Sequence, residues 1–198
     1  MPDPRLYPFK EAKAPVYVAL CGAPKAGKST VAGLLERRYG ALIVDDGRPL
    51  REACKALYGL SEEDVTTHAG KERQMTVCGQ SYTVRQLLGD LGRSLESLYG
   101  EFYLPELAVG KAWSHPEVEK VPFFVFPSVR MNQGNYYRSC GNTWVIEVTR
   151  PGFEPVNDFD LYNRAIRTHT IKNLAIENWQ TEVELQVADI FDPIFQRQ

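Results

Sequence analysis

The run Gly22-Ala23-Pro24-Lys25-Ala26-Gly27-Lys28-Ser29-Thr30 constrains this chain more than any other stretch. It matches G-x-x-x-x-G-K-[ST] in full, and its flanks come in the order that such a loop requires. Val16 to Cys21 reads as a short buried strand, and Val31 to Tyr39 as a helix with an apolar stripe. Glycines let the loop wrap closely round phosphates, with N–H groups turned inward and the helix N-terminus adding partial positive charge. On that mechanism Gly22, Lys25, Ala26, Gly27, Lys28, Ser29 and Thr30 form a triphosphate cradle. Lys28 reaches the β- and γ-phosphates, and the Ser29 hydroxyl holds Mg²⁺. A chance turn of Gly and Lys would have no reason to sit between a strand and a helix.

The rest of the composition is that of an ordinary globular chain. At 198 residues it makes one domain, or one domain with an insertion, and can bury a substantial core. A net charge of −2 lacks the basic surface on which nucleic-acid affinity rests, so nucleic acid is not an expected partner. A nucleotide needs only a local basic pocket. Cys21, Cys54, Cys78 and Cys140 are scattered, with no C-x-x-C pair, which fits reduced thiols in a cytoplasmic protein. No apolar run has membrane-spanning length, and the first residues lack a signal-peptide core, so no membrane association is expected. Prolines at 2, 4, 8 and 15 predict an extended surface arm over residues 1–15, followed by one domain over 16–198.

Along the chain, strand and helix signals alternate. Ala41 to Val44 reads as a strand ending in Asp45-Asp46-Gly47, and Pro49 opens a helix closed by Gly59. Ser61 looks like an N-cap before three acidic residues. Residues 69–82 read as loop, with a hairpin around Met75 to Tyr82. From Thr83 a long helix carries Val84, Leu87, Leu88, Leu91, Leu95 and Leu98 on one stripe. A second stripe holds Arg85, Gly89, Gly92 and Glu96. Two interior glycines on one face imply close approach by another helix or by a ligand, and spacing does not choose between them. Residues 101–114 predict a helix broken near Pro105. Val121 to Phe126, Thr143 to Val148 and His169 to Lys172 read as further strands, and a final helix starts near Asn178. Residues 153–167 read as a mobile connection. The pattern is α/β with a mainly parallel five-stranded sheet, which puts ligands at the strand C-terminal ends, near Gly22, Asp45, Ser128, Arg150 and Asn173.

Several segments, taken together, resemble the deoxynucleoside monophosphate kinases of tailed bacteriophages. They are Gly22 to Thr30, Arg48-Pro49-Leu50-Arg51, Lys71-Glu72, Thr83 to Leu88 with Leu91-Gly92, Val129-Arg130, and Val148-Thr149-Arg150-Pro151-Gly152. The likeness spans nearly all of the chain after residue 15. It implies a three-layer P-loop fold with helices on both faces of the sheet and a helical acceptor-binding region at about residues 60–115. It also implies ATP and Mg²⁺ as cosubstrates, a deoxynucleoside monophosphate (dNMP) acceptor, and a host-cytoplasmic role in phage DNA-precursor supply. Self-association as a homodimer is left open.

Phosphoryl transfer asks mainly for positioning and charge cancellation. Lys28 and Arg130 are the expected catalytic cations. Arg51, Lys71, Arg85 and Arg130, with Arg150 and Asp46, are the expected acceptor-binding groups, since guanidinium matches phosphate bidentately. Arg138, Arg150, Arg164 and Arg167 are candidates for a closing lid, with residues 153–167 as its possible connection, and Asn173 for seating adenine through its loop backbone. Two positions depart from the family pattern. Ser128 stands where an Asp two residues before the arginine is usual, which leaves Asp45 or Asp46 as substitutes. Gly89 stands where a glutamine is usual, which opens the Arg85 face and implies a base pocket of altered shape, one that would admit an unusual or modified base. Two alternatives stay open: another small-molecule P-loop kinase, of the dephospho-coenzyme A kinase kind, and a nucleotide-binding regulator without turnover.

Overall fold

The computed structural model describes residues 16–116, 118–155, 160–174 and 177–195. The expected arm at 1–15 lies outside the described residues, as do positions 156–159 of the expected connection.

The side-chain alternation of the first strand sets up the three layers. In β1 (Val16–Cys21), Val18 and Leu20 face one way while Tyr17, Ala19 and Cys21 face the other, and all five are buried. Four more strands join it in one parallel sheet: β2 (Leu42–Ile43), β5 (Phe124–Phe126), β6 (Asn142–Thr149) and β7 (His169–Lys172), in the order β2-β5-β1-β6-β7, so that β5 and β6 flank β1. On the Val18–Leu20 face lie α1 (Lys28–Tyr39) and α8 (Trp179–Phe195), through Val31, Leu35, Val183, Val187 and Phe191. On the opposite face lie α6 (Tyr103–Trp113) and α7 (Gln133–Cys140), through Ala108, Val109, Tyr136 and Tyr137. This is the P-loop NTPase-type α/β architecture, with strands buried on both faces as a parallel sheet requires. No helix among the described residues is long and apolar enough to cross a membrane.

Between β2 and β5 the chain builds a separate helical unit. It comprises α2 (Arg48–Tyr58), α3 (Glu62–Thr66), α4 (His68–Glu72), the hairpin β3 (Gln74–Val77) with β4 (Gln80–Thr83), and α5 (Val84–Tyr99). Leu50, Cys54, Leu60, Val65, Val84, Leu88 and Leu104 form its own small core. Ser61, the cap expected from the sequence, bonds reciprocally with Asp64 at the start of α3, and Thr83 and Gln86 make the same arrangement at the start of α5.

Four readings need correction. The residues after 68 contain a short helix, α4, before the hairpin; at five residues it is too short to show a period, and Thr67 caps it by accepting from the Gly70 N–H. Pro105 does not break α6: it is the third residue of that helix, where the backbone N–H has no partner within the helix in any case. Leu98 leaves the buried stripe of α5 and is 74% exposed, because the small core ends before the last turn. The strand expected over 121–126 is confined to Phe124–Phe126.

Candidate active site

The phosphate loop leaves β1 and ends at the first residue of α1. Its path depends on glycine at Gly22, where φ is +140° and a Cβ would lie 2.2 Å from the Val148 carbonyl oxygen of the neighbouring strand. At the other end of the loop, the Asn173 side chain donates to the Ala26 carbonyl at 3.1 Å. Asn173 is 2% exposed, so this side chain braces the loop from beneath. Lys28 folds back over the loop, its Nζ donating to the Gly22 and Ala23 carbonyls at 2.7 and 2.9 Å. Burial, and then the like charge of Arg130, hold the Lys28 ammonium down to about 8. The Ser29 hydroxyl is exposed at the start of α1.

Beside the loop opens a cleft of about 760 Å³, including its solvent-open mouth, between the helical unit and the ends of β2 and β5. Its walls bring together Asp46, Arg51, Lys71, Arg85, Gly89 and Arg130. These six residues come from four segments of sequence, and each was expected to bind the acceptor. The three arginines each have a carboxylate partner: Arg51 pairs with Asp45, Arg85 with Glu72 at 2.8 Å, and Arg130 with Asp160. Lys71 makes no ion pair among the described residues, and burial followed by the charges of Arg51, Arg85 and Arg130 lowers it to about 8. Leu50, Leu88, Leu104 and Pro105 add apolar wall. Gly89 lines this space, so a ligand-sized cavity lies against that face of α5.

Asp46 sits on the floor of the cleft, 7% exposed, and its Oδ2 accepts from the Ser128 N–H at 3.3 Å. Burial raises it to about 6 against the pull of Arg130. Of the two aspartates that follow β2, Asp45 is turned to Arg51 and Asp46 into the cleft. Asp160, Gln133 and Tyr137 also line the cleft and escape sequence reasoning. Nothing in the spacing of a polar helix or of an Asn/Asp-rich segment marks them. The ion pair of Asp160 with Arg130 and the bond from the Arg130 N–H to Gln133 Oε1 tie two of them to the cleft.

Arg150 does not line the cleft. It stacks over Phe153, 4.8 Å from the ring centroid, and its Nη1 reaches the Lys25 carbonyl at 3.5 Å, on the phosphate-loop side. Nor do the expected lid arginines line it. Arg164 and Arg167 pair with Glu147 on β6, at 2.9 and 2.5 Å, and Tyr162 donates to the same carboxylate at 2.7 Å. Glu147 is 2% exposed; burial pushes its carboxyl up, but these donors outweigh burial and hold it below the usual range. A buried anion at the end of β6 therefore claims these two cations. Arg138 is exposed on α7.

No protein-family model matches the chain. A protein of Acanthamoeba polyphaga mimivirus, bearing the name "Putative deoxynucleotide monophosphate kinase", is 26% identical over 184 residues, covering 85% of this chain and 94% of that protein. The solved structure of TT1252 from Thermus thermophilus is 15% identical with a TM-score of 0.51, over 92% of this chain and 98% of that one, a likeness of fold. An APS kinase from Mycobacterium tuberculosis, at 14% identity, 93% and 99% coverage and a TM-score of 0.40, is too distant to argue from.

Proposed function

We propose that this chain is an ATP-dependent kinase that transfers the γ-phosphoryl group to a deoxynucleoside 5′-monophosphate. One observation carries the reading. A cleft holding four cations opens beside the phosphate loop, and the charge of Arg130 in its wall acts on the Lys28 ammonium of that loop. A second phosphate held in the cleft would thus face the end of a triphosphate held in the loop. The viral relative's name and the resemblance to phage enzymes support the same acceptor class and a role in viral DNA-precursor supply.

In this reading the loop from Gly22 to Thr30 holds the triphosphate, with Lys28 leaving its own carbonyl partners for phosphate oxygens. Lys71, with no ion pair to break among the described residues, meets the acceptor phosphate first. Arg85 and Arg51 follow as their acidic partners are displaced. Arg130, between the two halves, neutralises charge on the transferring group, and closure of the cleft would exclude water. The exposed Ser29 hydroxyl is a hard oxygen suited to Mg²⁺. No group of three or more His, Cys, Asp or Glu side chains forms a metal cage among the described residues, which fits a cation that arrives with its nucleotide and keeps several waters. Bound there, Mg²⁺ would offset charge on the β- and γ-phosphates.

The test is ADP release against a panel of deoxynucleoside monophosphates, including modified bases, with dephospho-coenzyme A as a parallel acceptor. The expected result is turnover with one or more deoxynucleotides. Turnover with dephospho-coenzyme A alone would transfer the assignment to another kinase class, and ATP binding with no acceptor stimulation would make the chain a nucleotide-binding regulator.

A further inference from the structure

Among the described residues, three buried side-chain polar atoms have no hydrogen-bond partner: Asp46 Oδ1, Tyr137 Oη and Arg150 Nε. Asp46 and Tyr137 line the same cleft. A buried polar atom left unpaired costs roughly 1–3 kcal/mol, and native folds leave few of them. Two in one cleft wall are therefore a signal of something the cleft receives.

Both groups are fixed from behind. Asp46 is anchored through its other oxygen to the Ser128 N–H, and the Tyr137 ring stacks on Phe126, with centroids 4.2 Å apart and planes at 25°. Of the charges acting on the Tyr137 phenol, the Asp46 carboxylate acts most strongly, yet no hydrogen bond joins the two. Both therefore line one cleft without bonding each other. The chemistry of the pair narrows what single ligand group could satisfy both. A carboxylate only accepts, so the ligand atom must carry a proton, and a phosphate oxygen is repelled. The phenol has an O–H to give, so the same ligand group must also accept. A hydroxyl does both. Arg130 and Lys28 act on Asp46 from nearby, so the hydroxyl lies within reach of the phosphates. The apolar walls at Leu50, Leu88, Leu104 and Pro105 offer faces for a base but no hydrogen bonds for a sugar.

We infer that Asp46 and Tyr137 together hold the 3′-hydroxyl of the acceptor's deoxyribose, Asp46 accepting its proton and Tyr137 donating to its oxygen. The site thereby selects nucleotides that carry that hydroxyl. This rests on the function proposed above.

The experiment compares a 2′-deoxynucleoside 5′-monophosphate with its 2′,3′-dideoxy counterpart on the full chain. It measures kcat/KM, and calorimetric affinity without ATP. The wild type is expected to favour the hydroxylated nucleotide by about 10- to 100-fold in both. Tyr137→Phe keeps the ring packing and should reduce that preference to about threefold or less, by weakening the hydroxylated nucleotide while leaving the dideoxy one unchanged. Asp46→Asn should move the ratio the same way. Equal handling of the two nucleotides by the wild type would overturn the inference, as would Tyr137→Phe weakening both alike. Either result would leave the kinase reading standing, because turnover of the deoxynucleotide is measured in the same assay. Absence of turnover with every deoxynucleotide would remove both.

Discussion

Asp46, just beyond β2, accepts the backbone N–H of Ser128, just beyond β5, at 3.3 Å. Ser128 is where the phage kinases that this sequence resembles carry a carboxylate. Here a carboxylate reaches the same strand end from the neighbouring strand. It stays buried, with one oxygen unpaired and its proton affinity raised to about 6.

Asp46→Asn should therefore stabilise the protein at pH 7.5 while impairing turnover. The folded-state value lies above the unfolded one of 3.8, so the wild type gains stability from this group as pH falls through 6 and loses it as pH rises. The variant lacks that dependence. Its melting temperature should exceed that of the wild type by a few degrees at pH 7.5, at about 2–4 °C per kcal/mol. The gap should narrow below pH 6 and close near pH 4. Thermal melts across that range are the check, and a constant gap would contradict the account.

Lys28→Ala should leave the circular dichroism spectrum and the melting cooperativity intact. Turnover should fall by roughly 10²-fold or more, the scale for losing one charge-stabilising donor. In the wild type, kcat/KM for ATP should decline above pH 8 as the Lys28 ammonium loses its proton. Near-normal turnover in the variant would mean that the loop does not hold the donor.

Lys71 gives a sharper pH test. Its ammonium is held to about 8 by burial and by three neighbouring guanidiniums, so kcat/KM for the acceptor should also fall above pH 8. Lys71→Arg keeps the charge at all these pH values and should flatten the acceptor profile without changing the ATP profile. Acceptor profiles that superimpose for the two proteins would remove Lys71 from the acceptor site.

Arg130→Ala removes a cation and breaks its ion pair with the buried Asp160, so it should lower both turnover and stability, the latter by roughly 3 kcal/mol. Adding Asp160→Asn should recover part of the stability, since the carboxylate charge that Arg130 offset is then gone, and none of the turnover. Urea unfolding and ADP release, measured on the two variants, separate the structural share of Arg130 from its part in transfer.

Gly89→Gln places a long side chain into the cleft wall beside Arg85. KM for the acceptor should rise by about tenfold or more, most for the bulkiest bases, while KM for ATP stays within about twofold. Those ranges follow from filling a preformed pocket on one side of a two-substrate site. An unchanged acceptor KM would show that the base lies elsewhere.

Much of this molecule is legible without coordinates because the relevant signals are local. The phosphate loop, the capping residue Ser61, and the alternation in β1 each depend on neighbours a few positions away. The same locality explains the misreadings. The five residues of α4 are too few to show a period, and whether Leu98 is covered depends on where a remote core happens to end.

Sequence alone determined the sheet, the cradle and the set of cations from which a second phosphate site could be drawn, since backbone propensity, hydrophobic period and motif spacing are properties of short windows. Only the tertiary structure decided which cations share a cleft. Arg51, Lys71, Arg85 and Arg130 converge on one cleft, while Arg164 and Arg167 are taken by Glu147 and Arg150 turns to the loop. Electrostatic pairing and burial act through space between residues distant in the chain, as with Asp46 and Ser128 or Arg130 and Asp160, and no window of sequence contains both partners.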